Sequence, residues 1–242
     1  MGKLFRLLLG VMIMGATVYF STTLVLSENN DNYTKIPKEK KESEETKPLA
    51  DTVILDVPLL NQMDAPRLKS GCEITSLAMI LNYKGIQISK NQLAEEIPRV
   101  PLRYNSGQYG NPNVGFVGNM EDGPGLGVNH VPLFNLAKNY VGDRASDLTQ
   151  QPFEVLLSEV AKGNPVWILT TKTFAPVSDF MTWQTPQGPV DVTYSMHSVV
   201  ITGYDKENIY INNPYGVKNQ KVERGTFISA WEQMGKQSIV IE

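Results

Sequence analysis

Residues 28–51 can bury almost nothing, and that break decides which part of the chain is able to fold. Positions 35–48 mix charges of both signs, carry Pro37 and Pro48, and offer Ile36 as their one aliphatic side chain. Such a composition cannot offset the entropy of ordering, so it reads as a flexible tether. Ahead of it, Lys3 and Arg6 precede an apolar run over 7–20 that resumes at Leu24-Val25-Leu26. Together these approach the roughly 20 residues a membrane-spanning helix needs. Basic residues before the run and Glu28 and Asp31 after it predict an N-terminus inside and the remainder outside. With no clear small-x-small cleavage site, 1–27 is expected to be an uncleaved anchor at the cell membrane. A removed signal peptide and a secreted protein are the alternative. From Thr52 to Glu242 the chain is compositionally globular and free of repeats, a length suited to one domain over 52–242.

Scarcity limits the chemistry of that domain. One cysteine forbids an intramolecular disulfide, and with only two histidines a cysteine- or histidine-rich zinc site is excluded. With 22 basic and 25 acidic residues there is no basic excess to hold nucleic acid. The glycines of Gly123-Pro124-Gly125-Leu126-Gly127 resemble a dinucleotide loop only superficially. They follow an irregular stretch rather than a strand, and read as a loop lining something. No cofactor or metal is expected, and calcium has no ligand-spaced motif behind it. The domain is expected to work as a monomer.

Hydrophobic periodicity predicts a short strand over 53–58, helices over 72–83 and 89–96, and then a long aperiodic stretch, 98–130, rich in Gly, Asn and Pro. A segment of that length without regular structure is usually functional. Helices are predicted over 131–140 and 152–162, strands over 165–170, 197–203 and 209–213, a last helix over 226–234 and a closing strand over 238–241. Helices first and an antiparallel sheet afterwards give an α+β fold.

Cys72 sits where a nucleophile would, at the first turn of a helix behind Gly71. Ser70 and Glu73 have capping-box spacing, so the helix is expected to begin at about Gly71. Helix N–H groups and the dipole would then favour thiolate, the reactive form. Taken alone, a single cysteine is equally a small buried hydrophobe. A thiol nucleophile needs a base, and the base needs a group to hold its tautomer. His197 opens a strand and alternates onto one face with Val199 and Ile201. The returning strand ends in Asn212-Asn213-Pro214, which brings Asn213 roughly opposite His197. Its carbonyl would accept the imidazole Nδ1–H and leave Nε2 facing the thiol. By itself His197 could be a core histidine and Asn213-Pro214 a plain turn. Gln62, on the loop leading to the nucleophile helix, would pair with the Cys72 N–H as an oxyanion donor, with Asn61 as competitor. His130 is expected at the surface or on the substrate side.

These motifs carry a resemblance. Val57-Pro58-Leu59-Leu60-Asn61-Gln62, Gly71-Cys72-Glu73-Ile74-Thr75-Ser76-Leu77-Ala78-Met79, Asn111-Pro112-Asn113-Val114-Gly115-Phe116-Val117-Gly118, Gly123-Pro124-Gly125-Leu126-Gly127-Val128 and His197-Ser198-Val199-Val200-Ile201-Thr202-Gly203-Tyr204 resemble bacterial papain-like cysteine peptidases. The type is the bacteriocin-processing, double-glycine leader peptidase, family thirty-nine. It is most similar to exported single-domain proteins of Gram-positive bacteria. The resemblance covers the domain and implies a papain-like fold whose N-terminal helical part carries the cysteine and whose C-terminal sheet carries the histidine and asparagine. It implies Cys72 as nucleophile, His197 as base, Asn213 as orienting residue and Gln62 as oxyanion donor. One departure stands out: the family usually has Asp-Pro where this chain has Asn213-Pro214.

The expected function is an extracytoplasmic cysteine peptidase acting on a peptide or protein substrate through an acyl-enzyme. In that reading the stretch 98–130 and the segment 174–189 with Trp183 line the cleft. Two alternatives stand beside it: a cell-wall amidase or acyltransferase with the same Cys–His chemistry, and an inactive papain-like binding domain.

Overall fold

The computed structural model describes residues 50–242. The expected membrane segment over 1–27, and nearly all of the tether over 28–51, lie outside them. Among the described residues no helix is long and apolar enough to cross a membrane.

The chain opens with β1 (Val53–Ile54), then α1 (Cys72–Tyr83) and α2 (Lys90–Glu96). Within α1 every residue from Cys72 to Leu81 is buried, so this helix is central rather than amphipathic. Ser89 caps α2 in a reciprocal capping box with Gln92. The stretch after α2 contains only β2 (Arg99–Val100) and β3 (Phe116–Val117), a two-residue parallel pair, and is otherwise irregular. Next come α3 (His130–Val141), β4 (Ala145–Asp147), α4 (Phe153–Ala161) and β5 (Val166–Thr171). A hairpin of β6 (Met181–Thr185) and β7 (Gly188–Val192) follows. The chain closes with β8 (Met196–Tyr204), β9 (Asn208–Asn213), β10 (Val217–Glu223), α5 (Arg224–Gln233) and β11 (Ser238–Ile241).

The main sheet runs β10-β9-β8-β5-β11-β4, with β1 pairing the far end of β8, and every pairing in it is antiparallel. Period-two alternation along β5 and β8 gives it two apolar faces. Trp167 and Val200 enter one core with α1 and α3, while Ile168, Val199 and Ile201 enter the other with α4 and α5. A hydrogen bond from Trp167 Nε1 to the Glu73 carbonyl (3.1 Å) pins the first turn of α1 to the sheet.

Four expectations change. The strand expected over 53–58 keeps only two residues. Neither β10 nor the β6–β7 hairpin was anticipated, because both are largely polar and exposed strands whose pairing, not their burial, makes them strands. Likewise β4 is too short to show a pattern.

Candidate active site

Gly71 is the N-cap of α1, so Cys72 is its first helical residue, but no side chain caps it. The expected Ser70–Glu73 box is absent. Glu73 turns inward instead and is wholly buried, its Oε1 accepting the Val128 backbone N–H at 3.4 Å while Oε2 has no hydrogen-bond partner. This inward turn requires Gly127. It holds φ +141°, and a Cβ there would overlap both Glu73 Oε1 and Met196 Cε.

The thiol is only 8% exposed. Burial pushes its pKa well above the ordinary value and the neighbouring Glu73 charge adds to this, while hydrogen bonds from the Ser198 and Glu73 backbones pull the other way. The expected bias towards thiolate is therefore reversed at rest. A helix N-terminus contributes about 0.3–2 kcal/mol, whereas full burial can move a pKa by up to ~3–5 units. Desolvation wins.

His197 is 1% exposed and occupies the second position of β8. Its ring is stacked on Tyr215 (centroids 5.1 Å apart, 15° between planes), with Phe174 tilted against it at 6.2 Å. Nε2 lies 3.1 Å from Asn213 Oδ1. Two further bonds orient that amide: Oδ1 accepts the Tyr215 backbone N–H at 3.1 Å, and Nδ2 donates to Gln220 Oε1 at 2.8 Å. A backbone N–H can only donate, so the atom facing His197 is the carbonyl oxygen, and Nε2 must carry the proton. The expected tautomer is thus inverted, with Nε2 on Asn213 and Nδ1 left buried without a partner. Burial lowers the His197 pKa to about 4, the Asn213 hydrogen bond opposes this, and Lys172 adds to it. Burial thus disfavours charge on both the thiol and the imidazole.

Cys72 opens α1 and His197 lies near the start of β8, the strand on which α1 packs. The Ser198 backbone reaches the thiol, and the Tyr215 ring that covers His197 feels the charges of Cys72 and Glu73. Gln62 is 1% exposed. Its amide was expected to face a reacting carbonyl; instead Nε2 donates to the Leu68 (3.2 Å) and Lys69 (3.0 Å) carbonyls, while its backbone N–H bonds Pro214 at 2.7 Å. Gln62 thereby ties the loop before Cys72 to the turn after Asn213. Asn61 caps the Met63 N–H through Oδ1 at 2.9 Å. His130 is half-buried at the start of α3, bonded to Gln237 and Asp147.

Trp183, in β6, stacks on Tyr109 (4.3 Å, 15°), and Tyr109 N–H bonds the Gln184 carbonyl at 2.9 Å, so the hairpin is clasped to the irregular stretch after α2. A cavity of about 400 Å³ lined by Leu126, Phe180, Val192, Thr193 and Met196 opens one residue from His197. Among the described residues no cluster of His, Cys, Asp and Glu could hold a metal.

Sequence reading missed Tyr215, Gln220 and Lys172, placed Phe174 only within the segment 174–189, and misread Glu73. Tyr215, two positions after Asn213, was within reach of a local reading. The others depend on pairings that sequence spacing does not contain.

The Peptidase_C39-like family profile matches residues 54–239. The chain belongs to the Peptidase_C39-like family. It is 55% identical over 188 residues to the uncharacterised protein YvpB of Bacillus subtilis (strain 168), covering 78% of this chain and 75% of YvpB. Its structure is similar to the crystal structure of a Bacillus anthracis protein described as a C39-like peptidase, with TM-score 0.77 and 46% identity over 80% of this chain and 98% of that one. The fold of this C39-like domain is therefore the papain-like α+β fold the motifs implied, and by family the protein is a cysteine peptidase.

Proposed function

We propose that this C39-like domain hydrolyses peptide bonds of peptide or protein substrates outside the cytoplasm, through Cys72, His197, Asn213 and an acyl-enzyme. The observation that carries the reading is the hydrogen bond that fixes the His197 Nε2–H on Asn213 and leaves an unprotonated, unpartnered Nδ1.

Both reacting groups are neutral at rest, so proton transfer accompanies attack. Cys72 Sγ forms its bond to the substrate carbonyl carbon as its proton passes to His197 Nδ1. Asn213 and the Tyr215 ring steady the imidazolium. The developing oxyanion takes the Cys72 backbone N–H and the Gln62 amide, which gives up the longer of its two carbonyl contacts, that to Leu68. Each such donor contributes about 3 kcal/mol. His197 then delivers the proton to the leaving amine as the C–N bond breaks. Water, deprotonated by the same nitrogen, releases the acid and restores the thiol. The apolar segment over 1–27 holds the domain at the outer face of the cytoplasmic membrane on its charged tether, where it acts as a monomer.

The test is turnover of a denatured protein and of a mixed peptide library by the full-length chain and by Cys72→Ala. Cleavage that disappears in the variant supports the reading, and cleavage that persists ends it. Release of muropeptides from purified wall with no peptide cleaved would move the substrate class to wall amide bonds.

A further inference from the structure

Glu73 is a wholly buried carboxyl that the mechanism above does not use. It follows the nucleophile directly, lies against the thiol, and is held there by the Val128 N–H, with a glycine kept at 127 to make room for it. Its second oxygen has no hydrogen-bond partner. An ionised carboxylate so placed would be an unpaired buried charge, which proteins avoid by neutralising the group. A protonated carboxyl would instead have an O–H to donate, and the sulfur is the acceptor beside it.

We propose that Glu73 is a positioning residue for Cys72, which as the neutral acid donates its proton to Sγ and as the carboxylate switches the nucleophile off. The proposal rests on Cys72 being the nucleophile and deepens that reading by giving the site a brake that engages as pH rises. In the working form the Glu73 O–H joins the Ser198 and Glu73 backbone N–H groups around the sulfur, three donors that favour negative charge where burial opposes it. Once Glu73 ionises, a like charge in contact with the sulfur holds the proton on the thiol.

The titratable and charged groups facing Glu73 are Cys72 on its own helix, Lys172 just beyond β5 and Tyr215 after β9. From the loop before α3 only the Val128 N–H reaches it. Lys172 is the one cation among them, and it favours the carboxylate, but burial dominates and raises the Glu73 pKa to about 7. The changeover therefore falls near neutrality.

The experiment is the pH dependence of Cys72 alkylation by iodoacetamide in the full-length chain and in Glu73→Gln, with Cys72→Ala as the blank. An ordinary thiol reacts faster as pH rises. The wild type should instead level off from about pH 7 and fall about tenfold behind Glu73→Gln over the next pH unit, the size of a one-unit shift from a like charge. The variant, whose amide stays neutral and keeps a donor, should rise monotonically. A plateau that survives in Glu73→Gln, or an uninterrupted rise in the wild type, overturns the proposal. Should the variant not fold, the wild type labelled with ¹³C at glutamate carboxyls answers alone. One carboxyl titrating near 7 whose midpoint moves when Cys72 is carboxamidomethylated supports the proposal, and none doing so refutes it. Alkylation needs no substrate, so this outcome is independent of whether Cys72→Ala abolishes cleavage.

Discussion

Replacing Asn213 with Ala removes the acceptor that fixes His197, and the structure sets the size of the effect. In the wild type Asn213 Oδ1 takes the His197 Nε2–H at 3.1 Å, with the ring 1% exposed and stacked under Tyr215. In the variant that N–H is buried with no partner, at a cost of about 1–3 kcal/mol. Imidazole avoids the cost by moving its proton to Nδ1, the nitrogen that must stay bare to accept from Cys72. At about 1.4 kcal/mol per factor of ten, the competent tautomer falls by roughly 5- to 150-fold, and peptide turnover should fall with it. The assay is the turnover rate of the full-length chain at pH 6.5, with urea unfolding to confirm that the variant is folded. Asn213→Asp is the discriminating control. A carboxylate still accepts from Nε2 and from the Tyr215 N–H, and Gln220, which now accepts from Nδ2, can rotate its amide to donate. Asn213→Asp should therefore stay within a few-fold of wild type, while Asn213→Asp combined with Gln220→Glu should lose activity to repulsion between adjacent carboxylates. A folded Asn213→Ala protein with wild-type turnover would refute the argument, because the tautomer would then be set by something other than Asn213.

Two further outcomes follow from the same geometry. Gly127→Ala should destabilise the fold, since the alanine meets about 1–3 kcal/mol of backbone strain at φ +141° and a similar cost of overpacking against Glu73 and Met196; an unchanged urea midpoint would contradict the close fit. His197, with its pKa lowered to about 4 by burial, is neutral in the fold but protonated at pH 5 in the unfolded chain. Its contribution to stability is complete above about pH 6.5 and is lost as pH falls towards 4, reaching roughly 3 kcal/mol. His197→Gln should flatten that part of the stability-against-pH curve, and an identical acid slope in the variant would show that the histidine is not desolvated.

Much of the molecule was legible without coordinates because local rules specify it. The helix over 72–83 came from its apolar spacing and from Gly85, the next helix from Ser89 as its cap, and β5, β8 and β11 from continuous apolar runs that only a sheet covered on both faces can hold. Motif order along the chain was enough to indicate the family. The polar strand β10 escaped because its partner, not its composition, makes it a strand. With it went Gln220, and with Gln220 the reason an asparagine serves at 213.

What the amino-acid sequence determined by itself was the family and the order in which the chain presents its candidate residues. What only the tertiary structure decided was their charge state and orientation. Thiol against thiolate, Nδ1 against Nε2, and a capping Glu73 against a buried one all turn on desolvation and on hydrogen bonds between distant segments. Desolvation is a property of everything packed around a group, and no local window of sequence contains it.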